Sequence, residues 1–444
     1  MKRFATIAVC ACLAVWGQWT TASPAVSGVR MWPAPDHTMV VFDLNAPVTW
    51  RMLTLTGPDR VLLELDDAAM PDTVPAPPPA EAGAMIAGIR HWSVPEGTRV
   101  VLDLQRAVTA SAYALKPEGA YGHRLVVKIS EAVPPPVLME PDPAPANEKP
   151  LAADVVIAID AGHGGEDPGA IGRRYRTREK DVTLGVAREL AKLVNATPGM
   201  RAMLTRNGDY YVPLGRRAML ARRANADLFI SLHADSVPGR RASARGASVY
   251  VLSERGASSK LARDLAHTEN AADWVGGADP QDLDDDVSRV LGDLTKTATM
   301  ADGVRLGRDI HVSLDRFGPM HARQVGQAGF AVLKSPVPSV LVEMAFISNP
   351  AEEKKLRSPA HRRAIASAIF SGIGKAVPWV VAARSVPVAD TSEREHVVKR
   401  GESLPVIARH YNVHVEALRF LNGLSAGERI VPGLRLRIPV AAGG

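Results

Sequence analysis

Cysteine is nearly absent from this chain. Of 444 residues only Cys10 and Cys12 carry a thiol, and both lie inside the first apolar stretch. The remainder therefore has no disulfide framework, no thiolate nucleophile and no cysteine metal ligand. Also missing is any later run apolar enough to cross a bilayer, which takes about 20 residues. A hydrophobic fraction of 46% is enough to build cores and excludes wholesale disorder. The formal charge of +6 suits an anionic partner such as nucleic acid, a membrane surface or a wall polymer.

The N-terminus narrows that choice. Met1-Lys2-Arg3 is a basic start, Phe4 to Trp16 is apolar, and Thr20-Thr21-Ala22 offers small residues for cleavage. This is the layout of a secretory signal peptide, placed at 1–24. A membrane anchor would need a longer apolar run, and Val9 ahead of Cys10 frames a lipoprotein cysteine poorly. Export excludes a nucleic-acid partner, and no transmembrane segment is expected after cleavage.

The next segment repeats itself. Val29-Arg30-Met-Trp32 recurs sixty residues on as Ile89-Arg90-His-Trp92, and Val40-Val41-Phe-Asp43-Leu44 recurs at the same offset as Val100-Val101-Leu-Asp103-Leu104. Alternating β-branched residues make these strands, and two similar halves predict a symmetric β-sandwich over 25–131. Neither half holds a His/Glu cluster, so the unit reads as a binding or targeting domain. Trp32 and Trp92 are either surface anchors or core residues. A polyproline-type stretch at Pro71–Pro79 joins the halves, and 132–152 reads as an extended linker.

Residues 153–380 alternate strand and helix patterns, which implies an α/β layer fold with a mostly parallel sheet flanked by helices. Arg201–Thr205, Ser248–Leu252 and Phe330–Leu333 are strand candidates. Helices are predicted at 181–195, 213–225, 257–270, 299–315 and 360–376; in the first, Val182, Val186, Leu190 and Leu193 define an apolar face. A polar linker follows at 381–394, and 395–439 forms a small terminal unit that reads strand, helix, helix, strand.

Three apolar runs end on residues able to bind a metal or work beside one. Val155-Val-Ile-Ala-Ile-Asp160 runs into Ala-Gly-His163, Leu228-Phe-Ile-Ser-Leu232 into His233, and Val340-Leu-Val342 into Glu343. In open α/β sheets ligands sit beyond the carboxyl ends of strands, so these ends suggest one shared site. Glu179, in Thr177-Arg-Glu-Lys180, precedes the first helix. A His₂Glu set with one open position is a catalytic zinc arrangement, and a carboxylate beside an activated water can take its proton and pass it to a leaving amine. Each residue also has an ordinary alternative: a hydrogen-bonded histidine, a glutamate favouring a helix N-terminus, a strand-end carboxylate in an ion pair. Asp160, Asp167 and Asp235 read as turn residues or as carboxylates that orient a ligating imidazole.

Ile159-Asp-Ala-Gly-His163-Gly-Gly, Thr177-Arg-Glu179-Lys, Ser231-Leu-His233-Ala-Asp and Ser339-Val-Leu-Val-Glu343-Met-Ala-Phe-Ile-Ser-Asn349 together resemble the zinc-dependent N-acetylmuramoyl-L-alanine amidases, in order, over roughly 155–378. The resemblance implies zinc ligation by His163, Glu179 and His233, with Glu343 as the catalytic glutamate. It implies hydrolysis of the amide between N-acetylmuramic acid and the L-alanine of the stem peptide. One departure is Gly172-Arg-Arg-Tyr-Arg176, more basic than the family's Gly-rich loop; its arginines would contact anionic glycan or peptide carboxylates, or else be solvated.

An acid-rich insertion, placed at 270–296, precedes the helix near 300, and long insertions inside compact domains are usually functional or disordered. The segment resembles the regulatory helix of division-associated amidases, in which an acid fills the open zinc position until an activator displaces it. The candidates are Glu269, Asp273, Asp279, Asp282, Asp284, Asp285 and Asp286; a solvated acidic loop is the alternative.

The 25–131 unit resembles the AMIN domain, which localises amidases to the septum by binding peptidoglycan or envelope partners. The terminal unit, with His396-Val-Val-Lys-Arg-Gly401, Ile407-Ala-Arg-His-Tyr411 and Ile430-Val-Pro-Gly433, resembles a glycan-binding LysM domain. The expected protein is thus a periplasmic, septal zinc amidase for daughter-cell separation. Its expected partners are glycan strands, stem peptides and a protein activator. The competing readings are a non-catalytic wall scaffold or amidase activator, and a zinc peptidase acting on wall cross-links.

Overall fold

The computed structural model describes residues 23–74, 85–118, 121–131, 154–234, 236, 244–253, 256–279, 296–335, 337–385, 394–399, 401–411, 422 and 430–438. The segment before Ser23 expected to be a signal peptide, the expected 132–152 linker, Asp235 and the acids Asp282, Asp284, Asp285 and Asp286 lie outside the described residues. The chain divides into two compact units, one of residues 1–143 with 154–376, the other of residues 144–153 with 377–444.

The first unit opens with eight strands: β1 (Val26–Pro33), β2 (His37–Leu44), β3 (Trp50–Leu55), β4 (Arg60–Asp66), β5 (Ile86–Val94), β6 (Gly97–Leu104), β7 (Val108–Leu115) and β8 (His123–Glu131). They form two four-stranded sheets, ordered β1-β2-β8-β7 and β3-β4-β6-β5. The sixty-residue repeat is visible in the backbone, since the β1–β2 and β5–β6 hairpins carry register shifts at equivalent places, Val26/Gly28 and Ile86/Gly88. The halves are interlaced: the first hairpin pairs with β8 of the second half, the second with β4 of the first. Alternate residues such as Val40, Phe42, Leu63, Val100, Leu102 and Val127 fill one core shared by both sheets, the inward set of a period-2 pattern. This is the expected sandwich.

The α/β part follows as β9 (Val155–Ala161), α1 (Glu179–Asn195), β10 (Met200–Leu204), α2 (Leu214–Arg223), β11 (Leu228–His233), β12 (Ser248–Leu252), α3 (Lys260–Asn270), α4 (Ala272–Val275), α5 (Lys296–Phe317), β13 (Gly326–Ala328), β14 (Ser339–Glu343), α6 (Pro350–Leu356) and α7 (Pro359–Ser385). The sheet order is β10-β9-β11-β14-β12-β13. The first four strands are parallel, β12 runs antiparallel to β14, and β13 follows β12. β9, β11 and β14 are buried on both faces, which explains their unbroken apolar runs. Their carboxyl ends lie side by side, with His233 paired in register with Glu343 and Leu232 with Ala161.

Three sequence expectations are corrected. Phe330–Leu333 is not a strand; Ala331–Leu333 is a 3₁₀ turn packed in the core through Val332 and Leu333, and a short apolar run cannot distinguish the two. The helix expected at 360–376 continues to Ser385, into the segment taken for linker. Its Pro359–Ala383 stretch, with mean hydropathy 1.5, is long and apolar enough to cross a membrane by length and composition, contrary to the reading that no later run is. Its apolar residues include Ile365, Ile369 and Ile373, all buried, and at Gly372 a Cβ would stand 2.6 Å from the Ile310 Cα of α5. Close packing against α5 uses this part of the apolar stretch.

The second unit has an antiparallel pair, β15 (Arg394–Val397) and β16 (Arg435–Ile438), with helix α8 (Leu404–His410) packed on it. Val398, Leu404, Ile407, Ala408, Leu436 and Ile438 form its core. The second expected helix lies outside the described residues.

Candidate metal centre

The loop after β9 turns sharply at His163, whose φ is +64°. The turn is held from below by two buried arginines. Arg206 Nε donates to the Ala161 carbonyl at 2.8 Å and Nη2 to that of Gly162 at 2.9 Å. Arg217 Nη1 donates to Ala161 O and Nη2 to His163 O. Arg217 also pairs at 2.9 Å with Asp160, which accepts from the Thr205 and Ser231 hydroxyls. Burial raises the Asp160 carboxyl, but Arg217 and these hydroxyls outweigh it and leave the group below the ordinary carboxylate range.

Above this support two imidazoles meet, ring centroids 4.8 Å apart and nearly perpendicular. Gly162 makes room for the meeting, because a Cβ there would fall 2.5 Å from His233 Cε1 and Nε2. Asp167 Oδ2 lies 2.7 Å from His163 Nδ1 and so turns His163 Nε2 toward the cluster. Glu179, the first residue of α1, is fixed by backbone N–H groups: Ala170 donates to Oε2 at 2.8 Å and Ala234 to Oε1 at 2.7 Å. Its Oε1 stands 3.2 Å from His163 Nε2 and 3.4 Å from His233 Nδ1. Glu269, from α3, completes the group, with Oε2 3.0 Å from His233 Nδ1 and 3.6 Å from His163 Nε2.

His163 Nε2 and His233 Nδ1 are buried and make no hydrogen bond. Buried nitrogens are normally satisfied, and two that converge with carboxylate oxygens have the donor chemistry of a metal site. Ligand atoms of His163, His233 and Glu269 all lie within 4.8 Å of one another and could hold a metal ion. Charge favours a cation as well. Burial lowers both imidazoles, yet Asp167, Glu179 and Glu269 push His163 well above its ordinary value, and Glu269 and Glu179 carry His233 to about 10. Three carboxylates around two imidazoles favour positive charge at this point, carried either by ring protons or by a metal cation that takes their place. Glu343, at the end of β14 beside His233, is fully buried.

The family model described as N-acetylmuramoyl-L-alanine amidase matches residues 157–375; models of the AMIN and LysM domains match 28–129 and 396–439. The chain is 36% identical over 373 residues to the N-acetylmuramoyl-L-alanine amidase AmiC of Escherichia coli O6:H1, covering 78% of this chain and 88% of that one. It is 36% identical over 389 residues to AmiC of Neisseria meningitidis serogroup B, covering 80% and 90%. To AmiA of Escherichia coli K12 it is 44% identical over 225 residues, covering 50% and 76%. The chain belongs to the N-acetylmuramoyl-L-alanine amidases. It is an enzyme of that family, with AMIN and LysM domains flanking the catalytic one.

His163, Glu179 and His233, the three candidates for metal ligation, lie together in space. Of the acids considered for the insertion, only Glu269 joins them among the described residues. It lies on α3, one residue ahead of the 270–296 segment, so removing that segment would spare it. Asp273 does other work: its Oδ1 accepts from Tyr211 Oη at 2.8 Å and from the Leu214 N–H at 2.9 Å, tying α4 to α2. Asp279 ends the described stretch, outside the cluster. The basic 172–176 loop is shaped by its backbone, since the N–H groups of Arg174, Tyr175 and Thr177 donate to Glu353, a partner the sequence did not suggest. Also missed were Arg206 and Arg217.

Proposed function

We propose that this amidase is a periplasmic zinc enzyme that cleaves the bond between N-acetylmuramic acid and L-alanine in septal peptidoglycan during daughter-cell separation, and that Glu269 holds it inactive until an activator withdraws α3. The observation that carries the reading is the convergence of Glu179 Oε1 on two buried imidazole nitrogens that make no hydrogen bond. His163, Glu179 and His233 would hold the metal. When bound, zinc supplies a Lewis acid for the scissile carbonyl and an activated water. Asp167 fixes the His163 ring so that Nε2 faces the site, as carboxylate partners of ligating histidines do. Glu343, at the strand end next to His233, accepts a proton from the attacking water and returns it to the L-alanine amine, the two halves of general acid–base work. Glu269 takes up the space that substrate must enter.

The AMIN and LysM matches support a substrate that is an assembled wall. The septal assignment and the activator rest on the resemblance to division-associated amidases. The experiment is Glu343→Ala assayed with labelled peptidoglycan and zinc analysis: hydrolysis collapses while zinc content holds. Loss of zinc with activity makes Glu343 a ligand. Product mass spectrometry should find intact stem peptides with free L-alanine N-termini; cut stem peptides would instead mean a peptidase.

A further inference from the structure

The outer face of the β1-β2-β8-β7 sheet is apolar and covered. Met39, Val41, Leu115 and Val126 form a buried cluster there, flanked by Trp32 and Tyr113. What covers it is the turn after α4, for a Cβ on Gly277 would lie 2.9 Å from the Met39 Cε and within 3.8 Å of Leu115 and Val126. Polar contacts fasten the same turn. Arg124, itself buried, donates from Nη1 to the Val275 carbonyl at 2.8 Å and from Nη2 to that of Trp274 at 2.9 Å. Tyr113 Oη donates to the Gly277 carbonyl at 2.7 Å. Carbonyls at a helix end lack intrahelical partners, and here the sandwich supplies them.

The same face also grips the loop that carries His163. Glu166, three residues on, has a fully buried side chain. Its Oε2 accepts from Trp32 Nε1 at 2.8 Å, its Oε1 pairs with Arg30 at 2.7 Å and lies 3.5 Å from Arg124, and its carbonyl accepts from Tyr121 Oη. The Trp32 ring carries Lys180, neighbour of Glu179, at 4.2 Å. Asp36 and Arg216 pair at the rim. One sheet face thus holds both parts that must separate for the site to open, and Arg124 touches both.

We infer that the β1-β2-β8-β7 face of the AMIN sandwich is a latch on the inhibitory segment: docked, it pins the α4 end to the His163 loop and keeps Glu269 in the cluster; undocked, it lets α3 and α4 leave together. This rests on the reading of Glu269 as the plug, and it adds a second condition to activation, detachment of the sandwich.

The test uses the full mature chain without activator, following amide hydrogen exchange across 260–277 together with basal peptidoglycan hydrolysis. Trp32→Phe with Tyr113→Phe removes two part-buried hydrogen bonds while leaving an aromatic ring, smaller at position 32, at each place. Exchange should quicken on the order of tenfold, and hydrolysis should rise with it. Asp36→Arg, at an exposed position, opposes Arg216 and should shift both readouts the same way by a smaller factor; adding Arg216→Asp should restore them, while Asp36→Asn, which also weakens the contact with His37, controls for that loss. Wild-type exchange in both latch variants overturns the latch. Glu269→Ala separates the two ideas. If it activates while the latch variants change neither readout, the plug stands and the latch falls. If the latch variants speed exchange while Glu269→Ala leaves hydrolysis at its basal level, the sandwich still restrains α3 and α4, but the plug falls and the latch as a control on hydrolysis falls with it.

Discussion

The Glu269 carboxylate stands 3.0 Å from His233 Nδ1, a ring nitrogen that no hydrogen bond satisfies. Removing that carboxylate should expose the site without disturbing its supports. A charge-assisted contact contributes about 1.5–3 kcal/mol, so Glu269→Ala should raise basal hydrolysis roughly 10–100-fold with zinc content unchanged. Dye release from labelled peptidoglycan checks it, and a rate at or below wild type would remove the plug.

Asp167 fixes the orientation of His163. Asp167→Asn keeps the shape and loses the charge, and partners of this kind contribute about 10–100-fold in metal affinity. A competing chelator should strip zinc from this variant at correspondingly lower concentration, while its melting temperature without metal changes little.

Asp160 and Arg217 form a fully buried pair under the loop. Breaking such a pair strands a charge and costs about 3–5 kcal/mol, so Asp160→Ala should shift the urea midpoint strongly. The pH dependence follows from the lowered Asp160 carboxyl. Its stabilisation is complete above the unfolded value near 4 and is lost as pH falls through the lower folded value. Asp160→Ala should therefore flatten the acid limb of the stability profile; an unchanged limb would show that other carboxylates set it.

Gly162 is a spacer. The Cβ of Gly162→Ala would meet the His233 ring at 2.5 Å, and the ring must move. Displacement of about 1 Å can cost on the order of 100-fold in rate. The expected result is a folded protein, by circular dichroism, with hydrolysis reduced to that degree.

His163, His233 and Glu343 were legible as candidate site residues because β9, β11 and β14 are buried on both faces, so their apolar runs stop where the cluster begins. Glu269 was harder to single out among the neighbouring acids, and Arg217 went unnoticed. Both carry the same signal. In α3 the buried positions are Ala262, Leu265, Ala266 and Glu269; in α2 they are Leu214, Arg217, Ala218 and Ala221. Each is an i, i+3, i+4, i+7 stripe with one charge in it, and a charge on the buried stripe must find a partner. The contacts of Trp32 and Arg124 with the catalytic domain had no such mark, because docking between segments leaves no period in the sequence.

The interlaced hairpins have a mechanical consequence. Trp32 lies on the outer face of one sheet, against the catalytic domain, and bonds Glu166, while its repeat Trp92, on the other sheet, is 43% exposed. Each sheet borrows strands from the opposite half, so the halves cannot slide apart without tearing both. The exposed copy of the motif and the docked copy are therefore held on one interlocked body.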